Sequence, residues 1–130
     1  MNRRIDLLID IEEYRISAKR GQPPRILTGN KDNRCGKIFV DMTGGTEGSP
    51  KILKDLVRNG ISTIIAMHMS EKHYDTAKES NLNVVIAGHI SSDNLGMNLL
   101  LDKIIRTLGV IKIIDFSGFT RVSRISRKKK

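Results

Sequence analysis

The sequence holds three histidines, and one of them, His89, is followed four positions later by an acid, Asp93. Both lie in VVIAGHISSDNLGMN (84–98), where an apolar run stops at Gly88 and an imidazole and a carboxylate follow. An imidazole nitrogen and a carboxylate oxygen in one crevice suit a divalent ion such as zinc, manganese or iron. Two donors fall short of the three or four protein groups such ions take. The same residues also read as a helix start. Ser91 or Ser92 would be the N-cap, Asp93 would complement the positive helix end, and His89 would bond a backbone carbonyl. Spacing alone leaves both readings open.

A second candidate is the loop TGGTEGSP (43–50), which follows a β-rich run and opens a helical one. Backbone N–H groups of Thr43, Gly44, Gly45, Thr46 and Gly48 could cradle a phosphate at the helix N-terminus. The loop matches neither G-x-G-x-x-G nor the P-loop, whose lysine it lacks. A tight turn with Pro50 near the first helical position accounts for it equally. No nucleophile has an adjacent base, so no catalytic residue can be named. The single cysteine, Cys35, excludes an intrachain disulfide and an all-cysteine zinc site, and reads as a structural thiol.

These residues need elements to position them. Residues 1–21 read as an N-terminal helix, with Ile5, Leu8, Ile9 and Ile16 near one face and Gly21 as its stop. QPPR forces an extended link, and RILTG is a possible short strand. Over 22–119 a rhythm follows. KIFVDM, STIIAMH, LNVVIAGH and VIKIIDF are apolar strands. KILKDLVRNG, SEKHYDTAKESN and DNLGMNLLLDKIIRTLG are helices between them. Continuously apolar strands alternating with helices predict an α/β domain. The expected form is a three-layer sandwich with a mainly parallel sheet of four to five strands and helices on both faces. Ligands in such sheets bind at the carboxyl edge of the strands. That edge is where Asp41 and Thr43, His68, His89, and Asp115 with Ser117 would gather.

The net charge of +9 is concentrated in TRVSRISRKKK (120–130), a basic tail with six cations and no acid; the first 119 residues then carry +3. A solvated terminus is the expectation. The tail has no interleaved aromatics for base stacking, so nucleic acid is not expected as a partner. No apolar run approaches the ~20 residues that span a bilayer. Acids interrupt the first fourteen residues where a signal peptide needs an apolar stretch. The expectation is a cytoplasmic protein without a membrane partner.

GKIFVDMTGGTEGSPKIL, MHMSEKHYDTAKESNLNVVIAGHISSDNLGMNLLLDKI and SGFTRVSR together resemble the C-terminal half of the Nif-three-like family, also known as GTP cyclohydrolase 1 type 2 homologues. The resemblance covers about residues 20–125, and AGH with an acid four residues after the histidine is its most diagnostic piece. It implies an α/β fold whose two similar halves build a ring-shaped homo-oligomer, a dimer or larger, around a pair of divalent metals. His89 and Asp93 fall on metal-ligand positions, Asp93 in place of the glutamate of many members. His68, His73 and Asp41 fall near the cleft, behind the ligands or facing substrate. The implied chemistry is attack of a metal-activated water on a nucleotide or phosphoester.

Family members are about twice as long, and their first half supplies a tandem histidine pair that this sequence lacks. The resemblance therefore implies an incomplete metal site here. The chain would be a shortened protein, a fragment, or the partner of a separate chain supplying the first half. The alternative function is a non-catalytic oligomerising scaffold or one half of a split assembly.

Overall fold

A computed structural model describes residues 2–43 and 47–125, with side chains described from residue 5. The elements run α1 (Asn2–Ile9), α2 (Glu12–Lys19), β1 (Arg25–Thr28), β2 (Lys37–Asp41), α3 (Lys51–Arg58), β3 (Ile61–Ala66), α4 (Glu71–Glu79), β4 (Asn83–Ile86) and α5 (His89–Leu108). The four strands form one sheet in the order β1-β4-β3-β2. β2 with β3 and β3 with β4 are parallel, while β1 is antiparallel to β4.

Side chains alternate across the two central strands, so each face of the sheet has its own core. Ile64, Ala66, Val84 and Ile86 pack with Leu53 of α3 and Ala77 of α4. Ile65, Val85 and Ala87 pack with Tyr14 of α2, and Ile5, Leu8 and Leu95 complete that side from α1 and α5. The three-layer α/β sandwich read from the sequence is thus present, with a mainly parallel four-stranded sheet.

Three local expectations are corrected. The expected N-terminal helix is two helices, broken at Asp10–Ile11, where Ile11 takes an extended backbone. The break turns Glu13 and Tyr14 inward, leaving both buried. The fourth strand is RILT, not VIKIIDF. β1 arrives within a few residues of α2 and occupies the slot beside β4, and residues 110–116 pair with no strand among the described residues. Val110 is 96% and Phe116 81% exposed. Consequently Asp115 does not close a strand; its carboxylate accepts the Arg121 backbone N–H.

The third correction concerns the basic tail, whose start is docked rather than solvated. Asn98 of α5, fully buried, donates to Glu13 Oε1 and to the Thr120 carbonyl, both at 3.0 Å. Its Oδ1 accepts the Val122 N–H at 3.0 Å. Arg124 pairs with Glu13, and Arg121 with Asp102. Asp102 Oδ2 also accepts the Arg124 backbone N–H at 2.8 Å. Residues 126–130 lie outside the described residues.

Burial pushes the Glu13 and Asp102 carboxyls up. Hydrogen bonds from Arg124 and Asn98 to Glu13, and from Arg121 and the Arg124 N–H to Asp102, outweigh it and hold both below the usual range. A carboxyl titrating lower folded than unfolded stabilises fully above its unfolded value, and that stabilisation is lost as pH falls through the folded one. Thermal melts are therefore expected to fall progressively below about pH 4. Asp102→Ala, which leaves Arg121 unpaired, is expected to cost about 3 kcal/mol in urea denaturation and to flatten that acid limb.

Candidate active site at the strand ends

The exits of β3 and β4 stay side by side, because the N–H of Ala87, one residue beyond β4, donates to the carbonyl of Ala66, the last residue of β3, at 2.8 Å. His68 follows β3 and His89 follows β4, and their rings stack with centroids 5.1 Å apart and planes within 7°. Gly88 makes the turn from β4 into α5. Its φ of 103° lies where side chains are disfavoured, and a Cβ there would come within 2.8 Å of Ser91 Oγ. The chain can therefore leave a buried strand and enter α5 with no loop.

This turn starts α5 at His89, earlier than a serine cap would. Ser91 and Ser92 sit inside the first turn, where their hydroxyls donate back to carbonyls instead of capping. Ser91 Oγ donates to the Ala87 and Gly88 carbonyls at 3.3 and 3.2 Å. Ser92 Oγ donates to the Gly88 carbonyl at 2.6 Å and lies 3.0 Å from the Tyr14 hydroxyl. Asp93 falls beyond the first turn, so it does not complement the helix end. The helix-start account is corrected for the serine caps and for Asp93.

His89 and Asp93 project from the same face of α5, with Nε2 and Oδ2 3.3 Å apart and the side chains 49% and 57% exposed. Two groups sharing one ion at bonds of about 2.1 Å stand at such a separation. They fit as part of a metal site. Among the described residues no third histidine, cysteine or acid joins them. His89, but not Asp93, borders a cavity of about 400 Å³ with Gln22, Pro23, Arg25, Met67 and His68.

On the other side of His68 lies a second cavity of about 290 Å³. Phe39, Ile52, Leu53 and Ile64 give it an apolar wall, and Asp41, Thr43, Glu47, Gly48, His68 and His73 line it with polar groups and backbone. His68 borders both cavities, and its Nδ1 is buried without a hydrogen-bond partner among the described residues. Asp41 Oδ1 accepts the Thr43 N–H at 3.0 Å. Of the expected phosphate loop, Gly44, Gly45 and Thr46 lie outside the described residues. Asp41 precedes the loop and Glu47 lies within it, and both carboxyl side chains line this cavity.

Glu47 was not among the residues singled out by type and spacing. It accepts the Ser70 N–H at 2.7 Å and stands 2.7 Å from His73 Nδ1. An acid inside a glycine-rich loop was the available signal. Its partner, 26 positions away, could not be read from spacing. The structure thus brings His68 against His89, and His73 against Glu47, on the two sides of one imidazole.

No family model matches the chain, and no curated protein matches it. Among solved structures, it is similar to the crystal structure of a NIF3 superfamily protein from Sphaerobacter thermophilus, with 25% identity and a TM-score of 0.63. The match covers 82% of this chain and 38% of that one, so the chain spans well under half of the protein it resembles. A NIF3 superfamily fold therefore underlies the strand-end site, and the Nif-three-like resemblance carried by the sequence holds in three dimensions.

Proposed function

We propose that the chain is a Nif-three-like domain that binds a divalent metal, zinc, manganese or iron, through His89 and Asp93, with metal-dependent hydrolysis of a nucleotide or phosphoester as its activity. The observation that carries this reading is the His89–Asp93 pair, set 3.3 Å apart at the carboxyl edge of the sheet and backed by the stacked His68 ring. A bound ion would supply hydroxide near neutral pH and polarise a phosphoryl oxygen. The chain's own residues do the rest. His68 fixes the His89 plane by stacking, Gly88 sets the turn that presents His89, and the two cavities lie on either side of His68. Further ligands come from a second copy or from a separate chain corresponding to the first half of the family's fold.

A cytoplasmic location belongs to this reading, and no helix among the described residues is long and apolar enough to cross a membrane. Nucleic acid is disfavoured as a partner because Arg121 and Arg124 are engaged by Asp102 and Glu13.

A second reading, a non-catalytic scaffold that assembles with its own copies, is favoured by one observation. β2 is an open edge strand with Phe39 and Val40 exposed, and the strand-like segment after α5 exposes Val110, Ile114 and Phe116. Unpaired edges and apolar patches of this kind mark interaction surfaces. The two readings are compatible in a homo-oligomer.

Calorimetric titration with Zn²⁺ or Mn²⁺ is expected to show uptake by the wild type that the double variant His89→Ala/Asp93→Ala loses. A wild type that takes up neither ion would remove the metal reading. For assembly, light scattering of the wild type is expected to give a dimer or larger species. Val110→Asp with Phe116→Asp should shift it to monomer without loss of helical signal; a monomeric wild type would sink the scaffold reading.

A further inference from the structure

Glu47 and His73 lie outside the His89–Asp93 pair, and their bonding decides where a proton sits. Glu47 Oε1 accepts the Ser70 backbone N–H, and Oε2 lies 2.7 Å from His73 Nδ1. Burial pushes the Glu47 carboxyl up, but hydrogen bonds from Ser70 draw it down, and it lies below the usual range. An ionised carboxylate only accepts, so the hydrogen between Oε2 and Nδ1 is carried by Nδ1. The Ser70 hydroxyl, 2.8 Å from the same nitrogen, can share it. A neutral ring bonded in this way has no hydrogen on Nε2. His73 is nearly buried, at 11% side-chain exposure, and lines the 290 Å³ cavity.

The geometry points to a general base: His73 Nε2 takes the proton of a water held in this cavity, and Glu47 is the positioning residue that keeps the hydrogen on Nδ1. The inference rests on the hydrolytic reading above and narrows its substrate. Asp41 and Glu47 on the cavity wall disfavour a doubly charged phosphate, and Phe39, Ile52, Leu53 and Ile64 favour an apolar or aromatic group. The substrate class is a phosphodiester bearing such a group. In the step, the water O–H bond breaks and its proton goes to Nε2 while the oxygen pair forms a bond to phosphorus. The phosphorus–oxygen bond to the leaving group breaks, and the proton passes from Nε2 to the departing oxygen. General bases of this kind contribute about 10²–10⁴-fold.

The first test does not need turnover. Long-range ¹H–¹⁵N spectra of the full chain, recorded where the rings are neutral, are expected to show His73 with its hydrogen on Nδ1. In Glu47→Gln the Ser70 N–H keeps the amide oxygen, which turns the amide NH₂ toward Nδ1; the hydrogen is then expected to move to Nε2 with the melting temperature little changed. A wild-type His73 carrying its hydrogen on Nε2, or no change in Glu47→Gln, overturns the dyad.

The second test uses bis(p-nitrophenyl) phosphate with Mn²⁺ supplied, against p-nitrophenyl phosphate as the doubly charged comparison. The diester is expected to be the better substrate. His73→Asn and Glu47→Gln are each expected to lower its hydrolysis at least about 100-fold with Mn²⁺ uptake unchanged, and imidazole should restore His73→Gly. An active wild type matched by His73→Asn overturns the base while leaving the hydrolytic reading intact. A wild type inactive on both esters removes that reading and this role with it.

Discussion

The structure depends on the parallel pairing of β3 with β4, a pair buried on both faces. Because neither strand has a solvated side, every residue of the pair is constrained by packing from α3 and α4 on one face and from α1, α2 and α5 on the other. A parallel pair so enclosed cannot slip register by one residue without exchanging its two cores. Register fixed in this way carries through to the strand ends. The Ala87–Ala66 hydrogen bond continues the ladder one residue past β4, onto the last residue of β3, and holds His68 and His89 at stacking distance. The site is therefore an extension of the core rather than a loop laid over it.

A second constraint works at the far end of α5. Glu13, Asn98 and Asp102 are acids and an amide on surfaces that would otherwise be apolar, and each is buried. Alone they would be costly, since a buried polar group without a partner loses its hydration for nothing. Residues 120–124 supply the partners: two guanidinium groups, two backbone N–H groups and a carbonyl. The segment is thereby held against α2 and α5. Two of the charges that make this chain basic serve this docking.

The sheet leaves one edge open. Among the described residues β2 pairs only with β3, and it carries exposed Phe39 and Val40 on opposite faces of the sheet. The segment after α5 is as apolar as any strand in the chain yet lies in no ladder. A domain of this size has limited capacity to bury its apolar surface, and here that surplus lies on two features that both lack a strand neighbour. The solved relative, of which this chain spans 38%, has further polypeptide to place around the shared fold.

Much of the fold was legible because its determinants are local. Continuous apolar runs of strand length, interrupted by amphipathic stretches and glycine stops, specify alternation of strand and helix, and alternation implies a parallel sheet with a functional carboxyl edge. His89 and Asp93 could be chosen because an imidazole and a carboxylate follow an apolar strand directly, at the edge of the sheet where ligands bind.

The misreadings have two causes: competition between distant segments, and a backbone turn that residue types alone do not reveal. VIKIIDF has strand character, but β1 holds the slot beside β4, and local propensity carries no record of that rival. The serines after His89 are good caps in type, but the positive φ of Gly88 starts the helix before them. Glu47 with His73, His68 with His89, and Glu13 with Arg124 are pairs whose members are far apart along the chain or on separate elements. Their chemistry exists only once packing has closed that separation. The sequence by itself determined the layers, the edge and the residue types available there. Only the tertiary structure decided which of those residues meet, because contact depends on strand order and helix entry, and both are settled by burial across the whole chain.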